Sequence, residues 1–60
     1  MDPLMTARDA ARTLGVAQVT LRNLRAAGEG PRYVRLGAQR GVRYRPADLE
    51  AWVASREASQ

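Results

Sequence analysis

Two amphipathic helical stretches separated only by Gly15, Val16 and Ala17 constrain this chain more than any other feature of its sequence. The first opens at Thr6-Ala7-Arg8-Asp9, where a Thr followed three residues on by a carboxylate resembles a capping box with Asp in place of Glu. Ala7, Ala10, Ala11 and Leu14 then recur at i, i+3, i+4 and i+7, while Arg8, Asp9, Arg12 and Thr13 take the other face. Gly15 stands where a left-handed C-terminal cap belongs. The second stretch runs from about Gln18 to Ala27 and closes on Gly28, with Val16, Leu21 and Leu24 as its apolar line. A connection this short does not fold two long arms into an antiparallel hairpin; it turns the second helix at an angle to the first.

The rest of the chain must complete a core around that angle with few resources. Its 60 residues make one domain, residues 1–60, with an ordered core at about 4–55 and a polar tail beyond Ser55 that is expected to fray. A chain this short buries only about 60% of the surface it exposes when unfolded. Zero Cys and zero His remove disulfide staples and most zinc, haem and iron–sulfur ligand sets, so the fold rests on apolar packing and no cofactor is expected. The same absences remove Cys and His as nucleophile or base, and scattered acids with no Lys leave little from which to build a reaction. An enzyme is therefore not expected. No apolar stretch approaches the roughly 18 residues of a membrane span, and no charged-then-apolar signal segment opens the chain, which points to a cytoplasmic protein without a membrane partner.

The apolar positions can be counted against the helix-turn-helix frame. With Ala7 as its first position, Ala11 meets the demand for a small residue where the helices cross, and Gly15 meets the demand for φ > 0 in the turn. Ala10, Leu14, Val16, Leu21 and Leu24 fill the apolar positions that seal the angle. After the break at Gly28-Glu29-Gly30-Pro31, Tyr33-Val34-Arg35-Leu36 and Val42-Arg43-Tyr44-Arg45 alternate apolar with basic at period two. This predicts a β-hairpin with a loop from Gly37 to Gly41 and an inward face of Val34, Leu36, Val42 and Tyr44. A lone two-stranded hairpin is marginal in water, so it must lean on the helices. Ahead of the first helix, Leu4 and Met5 read as a short extended entry or a hydrophobic staple. Pro46 suits a first helical position, Asp48 complements the first-turn dipole, and Leu49, Trp52 and Val53 form a stripe that packs a final helix, with Trp52 in the core.

Charge narrows the partner. The chain carries +4 with a pI near 11.1, the balance of a nucleic-acid binder. Residues 8 to 45 hold a net +7, whereas residues 46 to 60 sum to −2. All ten basic residues are Arg, whose planar fork suits phosphate and guanine edges. Absent Lys, Ile and Phe and plentiful Ala are also what a GC-rich coding sequence gives, so where the Arg residues stand says more than the choice of Arg itself.

From Thr6 to Val53 the chain resembles the excisionase and AlpA-like group of small winged helix-turn-helix proteins, which are related to the DNA-binding domains of MerR-like regulators. The residues that carry the resemblance are Leu14-Gly15-Val16, Thr20-Leu21-Arg22, Gly28, Tyr33-Val34-Arg35-Leu36-Gly37, Val42-Arg43-Tyr44-Arg45 and Asp48-Leu49-Glu50-Ala51-Trp52. The fold class it implies is mainly α with a β-hairpin: a helix-turn-helix, a two-stranded wing and a C-terminal helix. It also implies a second helix in the major groove and a wing on adjacent backbone or minor groove. One departure is that the group often has Ser at the position of Ala17, which cannot cap the second helix.

On the second helix, Gln18, Val19, Thr20, Arg22, Asn23 and Arg25 stand outside the apolar line. Gln and Asn pair bidentately with adenine, Arg with guanine, and Val touches a thymine methyl. Gln18, Arg22 and Asn23 are the expected base readers, Thr20 a phosphate or base contact, and Arg25, a turn further on, a phosphate contact. An exposed polar face is the ordinary state of a surface helix; the helix-turn-helix frame and the local charge favour recognition. The hairpin adds Arg32, Arg35, Arg40, Arg43 and Arg45 with no acid among them. Such charge also protects sheet edges from aggregation, yet five uncompensated cations favour phosphate, with Arg40 near the loop tip as the minor-groove candidate. Tyr44 is expected in the core, and Tyr33 is open between core and stacking platform.

The expected function is sequence-specific binding of duplex DNA without a cofactor. As the resemblance implies, copies would assemble cooperatively head to tail at an attachment site, bend the DNA and steer an integrase partner toward excision. A small transcriptional regulator at a promoter is the alternative, and a neighbouring integrase gene would discriminate. A protein-interaction module with an Arg-rich surface is the rival from another class, marked by salt-insensitive binding to a protein and no shift of DNA.

Overall fold

A computed structural model describes residues 3–37 and 41–58. The elements are β1 (Met5–Thr6), α1 (Ala7–Leu14), α2 (Gln18–Ala27), β2 (Val34–Arg35), β3 (Val42–Tyr44) and α3 (Pro46–Ala58). This is a winged helix-turn-helix, its helices packed against one small antiparallel sheet in the order β1-β3-β2.

Local chemistry sets both ends of α1. Thr6, in extended conformation, accepts a 3.1 Å hydrogen bond on its hydroxyl from the Asp9 amide, which satisfies one of the orphan donors of the first turn. Gly15 adopts φ 76°, and the amides of Gly15 and Val16 donate to the carbonyls of Arg12 and Ala11. That Schellman closure needs the left-handed conformation Gly tolerates, and it turns the chain directly into α2. Gly28 repeats the device at the end of α2, with φ 73° and Glu29 donating to the Leu24 carbonyl at 2.9 Å.

Ala10, Ala11, Leu21, Tyr44 and Leu49 form the buried core, with Met5, Ala7, Leu14, Val16 and Val42 packed around it. Two alanines on one face of α1 let Leu21 of α2 and the Tyr44 ring of β3 approach closely, so a small chain closes around one aromatic. The entry segment is a strand: Met5 pairs with Tyr44 and Thr6 with Arg43, making β3 the central strand. Strand β3 of the wing is thereby paired on both sides, with β2 left as an edge, and the third strand relieves the instability of an isolated hairpin.

The register corrects the expected inward face. Val34 pairs with Arg43 and Arg35 with Val42. Residues directly opposite in an antiparallel ladder share a face, so Met5, Tyr44, Val42 and Arg35 lie on one side and Thr6, Arg43 and Val34 on the other. Val34 therefore does not join Val42 and Tyr44, and Leu36 is 43% exposed rather than inward. The Leu36 amide donates to the Gly41 carbonyl at 3.0 Å, so the ladder reaches one residue deeper into the expected loop. A one-residue change of register exchanges the faces of a whole strand.

Along α3, Leu49 is buried, Trp52 is half-buried and Val53 is 37% exposed. Trp52 lies at the margin instead of the expected core, where its Nε1 donates 3.0 Å to the Glu29 carbonyl. Tyr44 and Leu49 already fill the centre, and an indole N–H needs a partner that an apolar core lacks. The helix continues past Ser55 to Ala58, with Ser55 Oγ donating to the Trp52 carbonyl. Among the described residues no helix is long and apolar enough to cross a membrane.

Candidate nucleic-acid interface

Helix α2 presents an outward surface because Leu21 anchors its inner side and Leu24 is half-buried below. Gln18, Val19, Thr20, Arg22 and Asn23 are all exposed, Val19 by 54%. Five of the six residues expected on this helix are thus exposed, and Arg25 is the exception. Gln18, Val19, Arg22 and Arg25 border a shallow groove of about 340 Å³ that reaches back to Ala7 at the start of α1. No acid lies in the first turn of α2, and Ala17, extended at φ −71° and ψ 151°, gives no side-chain cap. The amides at this end carry the positive pole of the helix without a carboxylate to offset it.

Arg25 behaves differently from its neighbours. It is half-buried, its Nη1 donates 3.1 Å to the Tyr44 hydroxyl, and its guanidinium lies 5.9 Å from the Tyr33 ring centroid. The two tyrosine rings are 6.2 Å apart and tilted by 55°. Continuing the β2–β3 register by one residue sets Tyr33 opposite Tyr44, which accounts for that contact. Tyr33 is 39% exposed, so one edge meets the core while the rest stays at the surface. With Arg32, which the sequence does not distinguish from the other hairpin cations, Arg25 and Tyr33 also line a hollow of about 310 Å³.

The hairpin cations do not form one patch. Arg35 is exposed on edge strand β2, on the side of Val42. Arg43 is half-buried at the centre of the sheet, on the opposite side, and its Nη1 donates 2.9 Å to the Val42 carbonyl. Arg45 is exposed and lies 4.0 Å from the Asp48 carboxylate in the first turn of α3. At that distance and exposure the pair is a weak one, and the guanidinium retains donors for another anion. Arg40 lies outside the described residues.

Sequence reasoning missed the Tyr44 hydroxyl as the partner of Arg25. The available signal was the combination of a buried Tyr, whose O–H requires a partner, with an Arg on the helix end that packs toward it.

A family model described as a helix-turn-helix domain matches residues 4–57. No curated protein matches the chain.

Proposed function

The chain belongs to the helix-turn-helix domain family, and from that premise we propose that it is an excisionase, which reads duplex DNA sequence-specifically, bends an attachment site and directs an integrase partner toward excision. The observation that supports the reading is the solvent-exposed side of α2, where Gln18, Val19, Thr20, Arg22 and Asn23 are all exposed on a helix whose start is uncapped and free of acid. In the major groove, Gln18 and Asn23 would pair with adenine edges, Arg22 with a guanine, and Val19 would meet a thymine methyl. Thr20 and the helix amides would donate to neighbouring phosphate oxygens. Arg35, Arg40, Arg43 and Arg45 would hold backbone or minor groove around the wing, while Arg25, held by Tyr44 at the border of the α2 groove, would contribute charge beside Gln18 and Arg22.

The excision role rests on the resemblance carried by Leu14-Gly15-Val16, Thr20-Leu21-Arg22 and the hairpin pattern, which also relates the chain to MerR-like DNA-binding domains. A footprint on the DNA flanking its gene tests binding. If an integrase gene lies beside its own, an in vitro excision reaction with that integrase, with and without this protein, tests the role. Protection of an attachment site with stimulated excision is the expected result. Protection of a promoter alone, with excision unchanged, would assign a transcriptional role instead.

A further inference from the structure

Helix α3 carries a second surface whose chemistry is unlike that of α2. Between α1 and α3 lies an open groove of about 610 Å³, with Met5, Leu14 and Leu49 along its floor, Val53 on its wall, and Glu50 and Glu57 at its border. It shares no lining residue with the groove on α2. Both glutamates are exposed, and the single ion pair found among the described residues, Arg45 with Asp48, leaves them unengaged. In a chain whose residues 8 to 45 are strongly cationic, residues 46 to 60 are net acidic. A phosphate backbone would be repelled from this border, so the groove suits a protein rather than DNA.

Spacing specifies what would fit. Glu50, Val53 and Glu57 follow at i, i+3 and i+7 on one flank of α3. Two turns of helix put the carboxylates about 10 Å apart along the axis, with an apolar position between them. This is the arrangement of one half of a helix pair, in which charges flanking an apolar seam select the partner. We propose that the groove docks an amphipathic helical segment of a partner protein, which lays its apolar stripe along Leu14, Leu49 and Val53 and places Lys or Arg at seven-residue spacing against Glu50 and Glu57. The inference does not rest on the DNA-binding reading. Because the two grooves have separate linings, docking at one uses no residue of the other.

The test uses the full chain and two synthetic helical peptides with the same Leu stripe, one flanked by Lys at seven-residue spacing and the other by Glu at those positions. Backbone amide shifts are followed by NMR during titration. The Lys peptide is expected to shift Leu14, Leu49, Val53 and Ala54, and at low salt to bind roughly tenfold more tightly than the Glu peptide, as two exposed ion pairs allow. The double variant Glu50→Lys, Glu57→Lys should reverse that preference while its amide spectrum keeps the native dispersion. Equal affinities for the two peptides, no response at the groove, or shifts on α2 instead would overturn the proposal. So would concentration-dependent line broadening of the free chain that Val53→Asp abolishes, because a second copy would then be the occupant. A gel shift on the groove variant is read separately, so loss of peptide docking with intact DNA binding is distinguishable from failure of the DNA reading.

Discussion

Arg25 and Tyr44 join α2 to the wing through a 3.1 Å hydrogen bond from Nη1 to the tyrosine hydroxyl. The bond links the last turn of α2 to the central strand, and the Tyr33 ring beside the same guanidinium adds a second hold. A hydrogen bond to a charged group is worth about 1.5–3 kcal/mol when buried, and this one is partly exposed, so about 1–2 kcal/mol is expected here. Arg25→Ala should lower the melting temperature by about 5–10 °C, and Tyr44→Phe, which removes only the hydroxyl, should cause a similar loss. The double variant should be barely worse than either single one, the sign of a shared interaction. An unchanged melting temperature for Arg25→Ala, together with a salt dependence of DNA binding shallower by about one ion, would make Arg25 a phosphate ligand and not a brace.

How far the sequence anticipates this depends on which chemistry decides each feature. Thr6, Gly15 and Gly28 act through their own backbone and near neighbours, so the helix ends were legible. The wing register was not, because apolar and basic residues alternate on both strands and two pairings one residue apart look equally good. The extra strand Met5–Thr6 fixes β3 from its other side, and a two-residue strand carries too little pattern to be read in advance. Trp52 failed for a related reason: its apolar stripe indicated burial, but the volume was taken by Tyr44 from a distant part of the chain. For the interface, exposure on α2 followed from helical spacing alone, whereas the role of Arg25 required knowing what packs across from it.

The turn gives a test in which sterics and backbone separate cleanly. A Cβ built on Gly15 meets nothing within 4 Å, yet its φ is +76°. Any penalty on substitution therefore comes from the left-handed backbone. Gly15→Ala should cost about 1–2 kcal/mol, Gly15→Asn less, because Asn visits this region more readily, and Gly15→Val more than either. Urea midpoints would rank the three. Equal midpoints for Asn and Val would mean that the turn tolerates a conformation other than the one described.

Ala17 offers a gain rather than a loss. Its backbone already has the extended geometry of an N-cap, and no side chain caps the helix. Ala17→Ser supplies an acceptor for an amide of the first turn and should stabilise the domain by about 1 kcal/mol. A melting temperature raised by about 4–8 °C would be the signature; no change would show that those amides are already satisfied.

Recognition and anchoring can be separated by two Arg substitutions read on cognate and scrambled duplexes. Arg22 is exposed on α2, and loss of the bidentate guanine contact proposed for it would cost about 1–3 kcal/mol and relax preference at one base pair. Arg40 lies in sequence between β2 and β3, and the backbone or minor-groove contact proposed for it would carry little of the base code. Arg22→Ala should therefore shrink the ratio of cognate to scrambled affinity. Arg40→Ala should weaken both affinities by a similar factor and make the salt slope shallower by about one. For the parent chain, five or six phosphate contacts imply a slope of log affinity on log salt of roughly −4 to −5. Circular dichroism on both variants controls for folding, which the change at exposed Arg22 should not disturb. Gel shifts at two salt concentrations decide the matter: if Arg40→Ala abolished discrimination while Arg22→Ala lowered both affinities equally, the wing would be the reader and α2 the anchor.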